Sequence, residues 1–498
     1  MTDLILAIDQ GTTGSTIALM DTDGRLLTSV NHEFPQVFPQ PGWVEHDPES
    51  IWQSVLSGLS AIFSDTEHAV SQVAAIGITN QRETAVLWDS QTGQAVHNAI
   101  VWQCRRTTDF CEDLKAAGYE ALIKAKSGLV LDPYFSATKF KWILDNAPTA
   151  KTLLAEGRLL AGTIDTYLMW RLSNGNVHKT DVSNASRTSL MSLETLEWDA
   201  ELLDIFGVPR DILPEICPSS GRFAVTSGVP GLPDGLPVSG VAGDQQSALF
   251  GQACFEPGDA KCTFGTGSFI LMNAGTSLIA SDTGLLSTVA WQLKGQDAVY
   301  ALEGGAFVCG AAVQWLRDQL GIIENAADIE ALAESVESAG GVEFVPALAG
   351  LGAPYWAPEA RGTLTGLTRG SGKGEIARAT LDAMALQNVD ILMAMEADIG
   401  QVMTALKVDG GASANNLLMQ LQSDYLNRPI TRPEVIETTV AGACFLAGLG
   451  EGVWASVDDV ARVWRSDRAF DVGLTDAERA ERMTSWHLAV DRTLYTRS

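Results

Sequence analysis

The chain has 498 residues, which favours two or more domains, and its 46% hydrophobic and 19% charged residues are typical of a protein with a large core. Its formal net charge of −28 argues against a nucleic-acid partner and against stable association with an anionic membrane. The seven cysteines are scattered without a C-x-x-C motif, so we expect reduced thiols and a cytoplasmic location. The N-terminal MTDLILAID has no basic stretch and no 18-residue apolar run occurs, so we expect neither a signal peptide nor a membrane span.

The first half of the chain alternates segments with strand and helix patterns. Short apolar runs predict strands over 4–8, 16–20, 73–79 and 84–89. Apolar residues at helical spacing predict amphipathic helices over 50–65 and 134–146. This alternation is typical of an α/β fold.

A turn rich in glycine and hydroxyls, DQGTTGS, lies between the first two predicted strands. Backbone N–H groups and the hydroxyls of Thr12, Thr13 and Ser15 are suited to bind phosphate oxygens. The turn lacks the lysine of a Walker loop, and Asp9 would repel a phosphate directly. A divalent cation between them, held through water, would explain the carboxylate, because Mg²⁺ dehydrates reluctantly.

A second strand–turn–strand segment, 260–273, contains FGTGS and follows the first by about half the chain length. An internal duplication would place both glycine turns at one cleft, whereas the alternative is two unrelated hairpins. We place the domain boundary between 250 and 251, giving domains 1–250 and 251–498.

Two further segments, 299–321 and 406–426, read as strand, glycine-rich turn and helix. Free backbone N–H groups at their helix N-termini would favour an anion. A helix of small residues over 438–450 is suited to close packing.

Polar residues also follow predicted strands, where ligands bind in α/β domains. Arg82 and Glu83 offer donors and an acceptor to a polyol, although a surface ion pair is the alternative. Asp244 could serve as a general base for a hydroxyl, or simply as a helix N-cap. Aromatic residues such as Trp102 and Tyr134 are more often core than site.

Several motifs together resemble the FGGY family of carbohydrate kinases over about residues 4–465. They are DQGTTGS, GWVEHDP, GITNQRET, AIVWQCRRT, DPYFSATKFKWILD, GDQQSALFGQ, FGTGSF, GLGAPYW, ARGTLTGLTRG and VDGGASANN. The segments 134–146 and 362–382 resemble the two general family signatures. TNQRET, WQCRRT and GDQQSALFGQ are similar to the branch of the family that phosphorylates glycerol.

The resemblance implies two ribonuclease-H-like domains of the actin and Hsp70 type, with a catalytic cleft between them. It implies in-line transfer of phosphate from ATP to glycerol, giving sn-glycerol 3-phosphate, with Mg²⁺ as cofactor and a homodimer or homotetramer as the assembly. Asp244 would be the general base, and Asp9 and Asp244 would hold the metal ion. The implied glycerol ligands are Arg82, Glu83, Tyr134, Asp244 and Gln245, with Trp102 and Phe269 beside the carbon chain. The implied nucleotide ligands are Thr12, Thr13, Gly14, Ser15, Thr266, Gly310, Gln314, Gly411, Ala412 and Asn415.

Three segments depart from the family pattern. Thr16 stands where the family often has an arginine, so one cationic contact to phosphate is in doubt. The loop 226–240 has no Arg or Lys, so we expect weak or absent inhibition by fructose 1,6-bisphosphate. The segment 471–483 does not clearly match a surface for a phosphotransferase-system protein.

Two other functions compete with this interpretation. A related kinase acting on a sugar such as xylulose, or on a longer polyol, would share the fold. A non-catalytic, nucleotide-dependent switch of the actin or Hsp70 type would share the fold without the polyol residues.

Overall fold

The computed structural model of the protein describes residues 4–64 and 68–495. The start of the N-terminal segment, residues 1–3, and residue 65 of the first predicted helix lie outside the described residues.

Within that range the structure has 22 strands: β1 (Leu4–Gln10), β2 (Gly14–Asp21), β3 (Leu26–Glu33), β4 (Gln36–Val37), β5 (Glu45–His46), β6 (Val73–Asn80), β7 (Val86–Asp89), β8 (Ala99–Ile100), β9 (Leu159–Gly162), β10 (Lys179–Asp181), β11 (Glu215–Cys217), β12 (Ser220–Val225), β13 (Pro237–Gly243), β14 (Ala260–Phe264), β15 (Ser268–Gly275), β16 (Leu286–Gln292), β17 (Ala298–Ala306), β18 (Glu343–Val345), β19 (Thr363–Thr365), β20 (Leu406–Asp409), β21 (Ile430–Pro433) and β22 (Ser466–Phe470).

The same part of the chain has 16 α-helices: α1 (Pro48–Ser64), α2 (Thr108–Ala116), α3 (Glu120–Ser127), α4 (Ser136–Asn146), α5 (Pro148–Ala155), α6 (Ile164–Leu172), α7 (Val182–Ala185), α8 (Ala200–Phe206), α9 (Asp244–Gly251), α10 (Gly310–Asp318), α11 (Asp328–Glu334), α12 (Lys373–Ile399), α13 (Asn416–Leu426), α14 (Thr438–Gly450), α15 (Val457–Val463) and α16 (Asp476–Leu494).

A six-stranded mixed sheet with the order β12-β13-β6-β1-β2-β3 forms the centre of the first half. β1, β2 and β3 make an antiparallel meander, and β6 and β13 extend it in parallel with β1. Helix α1 covers β2 and β3 with the apolar face that its periodicity predicts. The three parallel strands end at one edge, where the residues that follow them converge.

A seven-stranded sheet with the order β16-β17-β15-β14-β20-β21-β22 forms the centre of the second half. Its strands β14, β15 and β17 again make an antiparallel meander, and β20 and β21 again extend it in parallel. The five-strand core of this sheet therefore repeats the order of the first. The shared order confirms the predicted α/β fold and its internal duplication.

Helix α14 belongs to the second half but packs on the sheet of the first half, against β1, β6 and β13. A Cβ atom at Gly77 would lie 2.1 Å from the Ala443 carbonyl oxygen, and one at Gly240 would lie 2.3 Å from the Ala447 nitrogen. The helix and the sheet approach this closely because both present small residues, as predicted for 438–450. In the described part of the chain, no helix has the length and apolarity needed to cross a membrane.

Candidate active site

The first glycine turn joins β1 to β2 at the edge where the parallel strands end. The Gly11 N–H donates to the Gly14 carbonyl at 2.9 Å and closes the turn. Trp102 Nε1 donates to Thr12 Oγ1 at 3.1 Å, while the side chain of Thr13 is exposed. Ser15 is buried and its hydroxyl pairs with Ser54 Oγ at 2.8 Å, so it does not point into the cleft. Only its backbone remains for the phosphate role predicted for Ser15.

Thr16 lies on β2 just after this turn. Its hydroxyl accepts a hydrogen bond from Asn31 Nδ2 at 2.9 Å, on the neighbouring strand β3. The space around Gly14 is also occupied by this strand, because a Cβ atom at Gly14 would lie 2.9 Å from Asn31 Oδ1. Gly14 therefore serves the geometry of the turn, and Thr16 supplies no cation there.

The second glycine turn joins β14 to β15 and is held against helix α10. Gly265 accepts the Gly310 N–H at 2.9 Å, and Thr266 accepts the N–H groups of Cys309 and Ala311 at 2.9 and 3.0 Å. A side chain at Gly310 would place its Cβ atom 2.7 Å from the Gly265 carbonyl oxygen. The contact explains why glycine occupies this position.

The first N–H groups of α10 and α13 are not free, in contrast to the prediction for these helix N-termini. The first N–H groups of α10 donate to carbonyls of the second glycine turn. In α13, Glu330 Oε1 accepts the Asn416 and Leu417 N–H groups at 2.8 and 3.0 Å, and Asn415 Oδ1 accepts the Leu418 N–H at 2.8 Å. Protein groups already satisfy these donors. Just before α13, the N–H groups of Gly411 and Ala412 have no acceptor among the described residues. Glu330 lies 86 residues from Asn416, which a local pattern could not reveal.

A cavity of about 420 Å³ lies between the second glycine turn, α10 and α13. Its walls include six of the residues predicted to bind the nucleotide: Thr266, Gly310, Gln314, Gly411, Ala412 and Asn415. The rest of the wall is mainly apolar, including Val313, Ile329 and Leu418. A cavity with apolar walls and a few polar groups is suited to a planar base, and its inner end opens beside a glycine turn.

Asp9 lies near the end of β1, partly buried in the cleft. Its Oδ2 accepts a hydrogen bond from Thr439 Oγ1 at 2.6 Å, at the start of α14. Burial raises the pKa of Asp9 to about 7, and repulsion from Asp244 and Glu437 adds to the rise while the Thr439 hydrogen bond opposes it. The two candidate metal carboxylates therefore interact across the cleft.

Asp244 is the first residue of α9, directly after β13. Gly243 occupies the cap position, so the alternative that Asp244 is only an N-cap is wrong. Its Oδ1 accepts the Gln245 N–H at 2.7 Å and lies 3.2 Å from Arg82 Nε. Burial in the cleft raises the pKa of Asp244, and the charge of Arg82 opposes this rise. The side chain remains 32% exposed, so a substrate hydroxyl can reach it.

Arg82 and Glu83 are buried, so the alternative of a surface ion pair is wrong. Arg82 follows β6 and donates through both terminal nitrogens to Glu303 on β17, with Nη2 at 3.0 Å from Oε1. Glu83 accepts a hydrogen bond from Arg187 Nε at 2.8 Å, and burial raises its pKa. Glu83 has a φ of 62°, a left-handed conformation that is strained for a residue other than glycine.

Glu303 and Arg187 complete this buried network and were not among the predicted site residues. Arg187 Nη2 donates to Glu303 Oε1 at 2.9 Å, and both side chains are buried. Despite the opposing effect of burial, the two guanidinium groups lower the pKa of Glu303 to about 2. A charged residue within the apolar strand 298–306 is the one sequence signal that could have indicated Glu303.

A second cavity, of about 390 Å³, opens beside this network. Its walls include Trp102, Tyr134 and Phe269, the three aromatic residues predicted near the substrate, together with Glu303. Trp102 and Tyr134 meet edge to face, with ring centroids 5.6 Å apart. Aromatic walls beside charged groups can hold both the carbon chain and the hydroxyls of a polyol. A larger cavity of about 720 Å³ on the first half, near Trp170 and Arg171, contains no predicted site residue.

Two buried lysines hold parts of this cavity in place and were also missed. Lys139 donates to the carbonyls of Pro133, Tyr134 and Phe135 at 2.5 to 3.0 Å and so fixes the segment that carries Tyr134. Burial lowers the pKa of Lys139 to about 8. Lys261 donates to Gln245 Oε1, the side chain next to Asp244.

Two family models match almost the whole chain. The N-terminal domain of the FGGY family of carbohydrate kinases matches residues 4–251, and the C-terminal domain matches residues 260–451. The chain therefore belongs to the FGGY family of carbohydrate kinases, which confirms the resemblance seen in its motifs.

Relatives of this chain indicate a particular branch of the family. It is 57% identical to a glycerol kinase of Bdellovibrio bacteriovorus over 492 residues, which cover 99% of each chain. A glycerol kinase of Geobacillus kaustophilus is 53% identical over 98% of this chain and 99% of its own. Among solved structures, glycerol kinase of Plasmodium falciparum with ADP superposes with a TM-score of 0.94 at 36% identity, covering 100% of this chain and 99% of that one.

Proposed function

We propose that the protein phosphorylates glycerol with ATP to give sn-glycerol 3-phosphate. The observation that carries this proposal is the buried group of Arg82, Glu83 and Glu303 beside Asp244, where β6 and β13 end. Three aromatic side chains close the other side of the same space. Relatives named glycerol kinase match the chain from end to end.

In this reaction Arg82 and Glu83 bind the hydroxyls of glycerol, and Asp244 accepts the proton of the hydroxyl that attacks. Asp244 is suited to the role because it is partly exposed, has a raised pKa and follows a strand at the cleft. General-base catalysis of this kind contributes roughly 10²- to 10⁴-fold. Thr12, Thr13 and the second glycine turn orient the phosphates, and the residues of the 420 Å³ cavity bind the base and sugar.

Mg²⁺ is the proposed cofactor, and the residues present fit it. Burial raises the pKa of Asp9 and of Asp244, and the charge of Asp244 adds to the rise at Asp9, so a cation beside these carboxylates would favour their charged forms. No cluster of three or more ligating side chains occurs among the described residues. A site of two carboxylates suits Mg²⁺, which commonly takes its other ligands from phosphate and water. The ion would neutralise charge on the phosphates during transfer.

The proposal is tested by ATP-dependent phosphorylation of glycerol, dihydroxyacetone, glyceraldehyde and xylulose side by side. We expect the highest kcat/KM with glycerol and no turnover after Mg²⁺ is removed with EDTA. A preference for xylulose would support the related sugar kinase instead. ATP hydrolysis that glycerol does not alter would support a nucleotide-dependent switch.

Two features remain predictions. The first is assembly as a homodimer or homotetramer, which sedimentation velocity would measure directly. The second is the domain boundary at 250/251, which limited proteolysis would locate.

A further inference from the structure

Lys261 is a fully buried lysine on β14 whose side chain reaches the start of α9. Its Nζ donates to Gln245 Oε1 and, at 2.8 Å, to Thr263 Oγ1. A third contact, to the Phe269 carbonyl oxygen, is long at 3.5 Å. All three partners belong to the glycine-turn hairpin or to the start of α9, where Gln245 follows Asp244.

The setting of Lys261 is costly for a charged group. In residues 4–64 and 68–495, no carboxylate oxygen forms an ion pair within 4.0 Å of its Nζ. Burial lowers the pKa of Lys261, although the charges of Asp409 and Asp244 oppose this effect. By contrast, the buried Lys139 has three carbonyl partners within 3.0 Å. Burying an ammonium group costs free energy, and three neutral acceptors, one of them at 3.5 Å, offset this cost only in part. This favours a role for Lys261 in the site.

The hydrogen bond to Gln245 fixes which end of its amide faces the cleft. An ammonium group only donates, so the oxygen of the Gln245 amide must face Lys261 and the NH₂ group must face away from it. In the described part of the chain, no protein atom accepts a hydrogen bond from this NH₂ group. The NH₂ group is therefore a free donor beside Asp244.

We propose that Lys261 is a positioning residue that orients the Gln245 amide so that its NH₂ group donates to a hydroxyl oxygen of the substrate. The proposal rests on the proposed phosphorylation of glycerol and assigns Lys261 its part in substrate binding. Without Lys261, the amide can rotate and present its oxygen instead, so the substrate loses an oriented donor.

The test compares Lys261→Met, Gln245→Ala and the double variant with the unmodified protein. Methionine keeps the length and apolar body of the side chain but cannot donate. We expect Lys261→Met to raise the KM for glycerol about tenfold and the KM for ATP less than about twofold, which is the size of one lost oriented hydrogen bond. If Lys261 acts through Gln245, the double variant will lose at most about threefold in kcat/KM beyond Gln245→Ala alone.

The matched control is Lys407→Met. Lys407 lies directly beside Lys261 on the neighbouring strand β20, and it donates to backbone carbonyls of Gln252 and Ala253. This control removes the same charge from the same sheet, and we expect its KM for glycerol to stay within about twofold of the unmodified value.

Three results would overturn the role of Lys261. The first is an unchanged KM for glycerol in Lys261→Met, and the second is an equal change in the KM for glycerol and the KM for ATP. The third is a loss of kcat/KM in the double variant that equals the product of the losses in the two single variants. If the unmodified protein does not phosphorylate glycerol, the proposed function itself fails, and this outcome is seen before any variant is compared.

Discussion

Replacing Glu303 by glutamine removes a buried carboxylate that accepts hydrogen bonds from two buried guanidinium groups. Arg82 donates to it through both terminal nitrogens, and Arg187 Nη2 donates to Oε1 at 2.9 Å. Glutamine keeps the shape but has one acceptor and no charge. Both arginines would then keep buried charge with only Glu83 and Asp244 nearby.

The magnitude follows from the pKa of Glu303. Its pKa falls from an ordinary value of 4.5 to about 2. Because each tenfold change in proton affinity is worth about 1.4 kcal/mol, this fall corresponds to roughly 3.5 kcal/mol of stability at pH 7. Removing one partner of a buried ion pair costs about 3–5 kcal/mol in other proteins, which agrees. Because Glu303 is only 3% exposed, little of this is lost to solvent screening.

The sign of the pH dependence follows from the same shift. The pKa of Glu303 is lower in the folded state, so its contribution is fully present above about pH 4.5. It is lost as the pH falls towards about 2, when the folded protein takes up the proton. The stability difference between the unmodified protein and Glu303→Gln should therefore shrink over that window and be constant from pH 5 to 8.

Thermal unfolding followed by calorimetry measures this effect, and we expect Tm to fall by several degrees for a loss of about 3.5 kcal/mol. The control is Glu49→Gln, because the Glu49 side chain is 53% exposed although it also pairs with an arginine, Arg171. That change should cost no more than about 0.5 kcal/mol. A Glu303→Gln protein as stable as the Glu49→Gln protein would refute the reasoning.

Four further predictions concern the site and the packing that supports it. Asp244→Asn should keep glycerol binding by calorimetric titration and lose roughly 10²- to 10⁴-fold in kcat; near-normal kcat would exclude Asp244 as the base. Glu83→Gln should raise the KM for glycerol far more than the KM for ATP in steady-state assays, and equal changes would count against a polyol ligand. Gly442→Ala should lower Tm by several degrees because its Cβ atom would lie 1.9 Å from the Ser247 carbonyl oxygen, and an unchanged Tm would contradict this packing. Fructose 1,6-bisphosphate should not inhibit at micromolar concentration, since the loop 226–240 has no basic residue; inhibition there would show another effector site.

The sequence predicted several elements of the fold because each of them carries its own periodicity. The strand predicted over 73–79 is β6, Val73–Asn80, and the helix predicted over 438–450 is α14, Thr438–Gly450. The duplication was also predictable, since both copies keep a strand–glycine turn–strand segment. The partner of the strand predicted over 84–89 was not, because β7 pairs outside the main sheet with β9, some 70 residues later.

The candidate site was predictable only where a residue follows a strand or lies in a glycine turn. Asp244 and Arg82 satisfy that rule, and both lie at the cleft. Glu303 and Arg187 do not: the first lies inside a strand, and the second follows a one-turn helix. Their partnership joins segments 116 residues apart, so only the assembled fold reveals it.

The predicted helix N-termini failed for a related reason. A sequence pattern can locate a helix start, but it cannot show whether a distant segment accepts hydrogen bonds from the N–H groups there. The second glycine turn and Glu330 approach both starts and take their donors. The proposed phosphate contacts therefore rest on the glycine turns rather than on the first residues of α10 and α13.

Helix α14 connects the two halves at the point where the carboxylates of the site lie. Its first two residues are threonines, and Thr439 donates to Asp9 on β1 while Thr438 donates to Asp409 on β20, at 2.6 and 2.8 Å. One carboxylate belongs to each sheet. Because the same helix packs through glycine contacts on the first sheet, adjacent side chains of a single helix bind one carboxylate of each half.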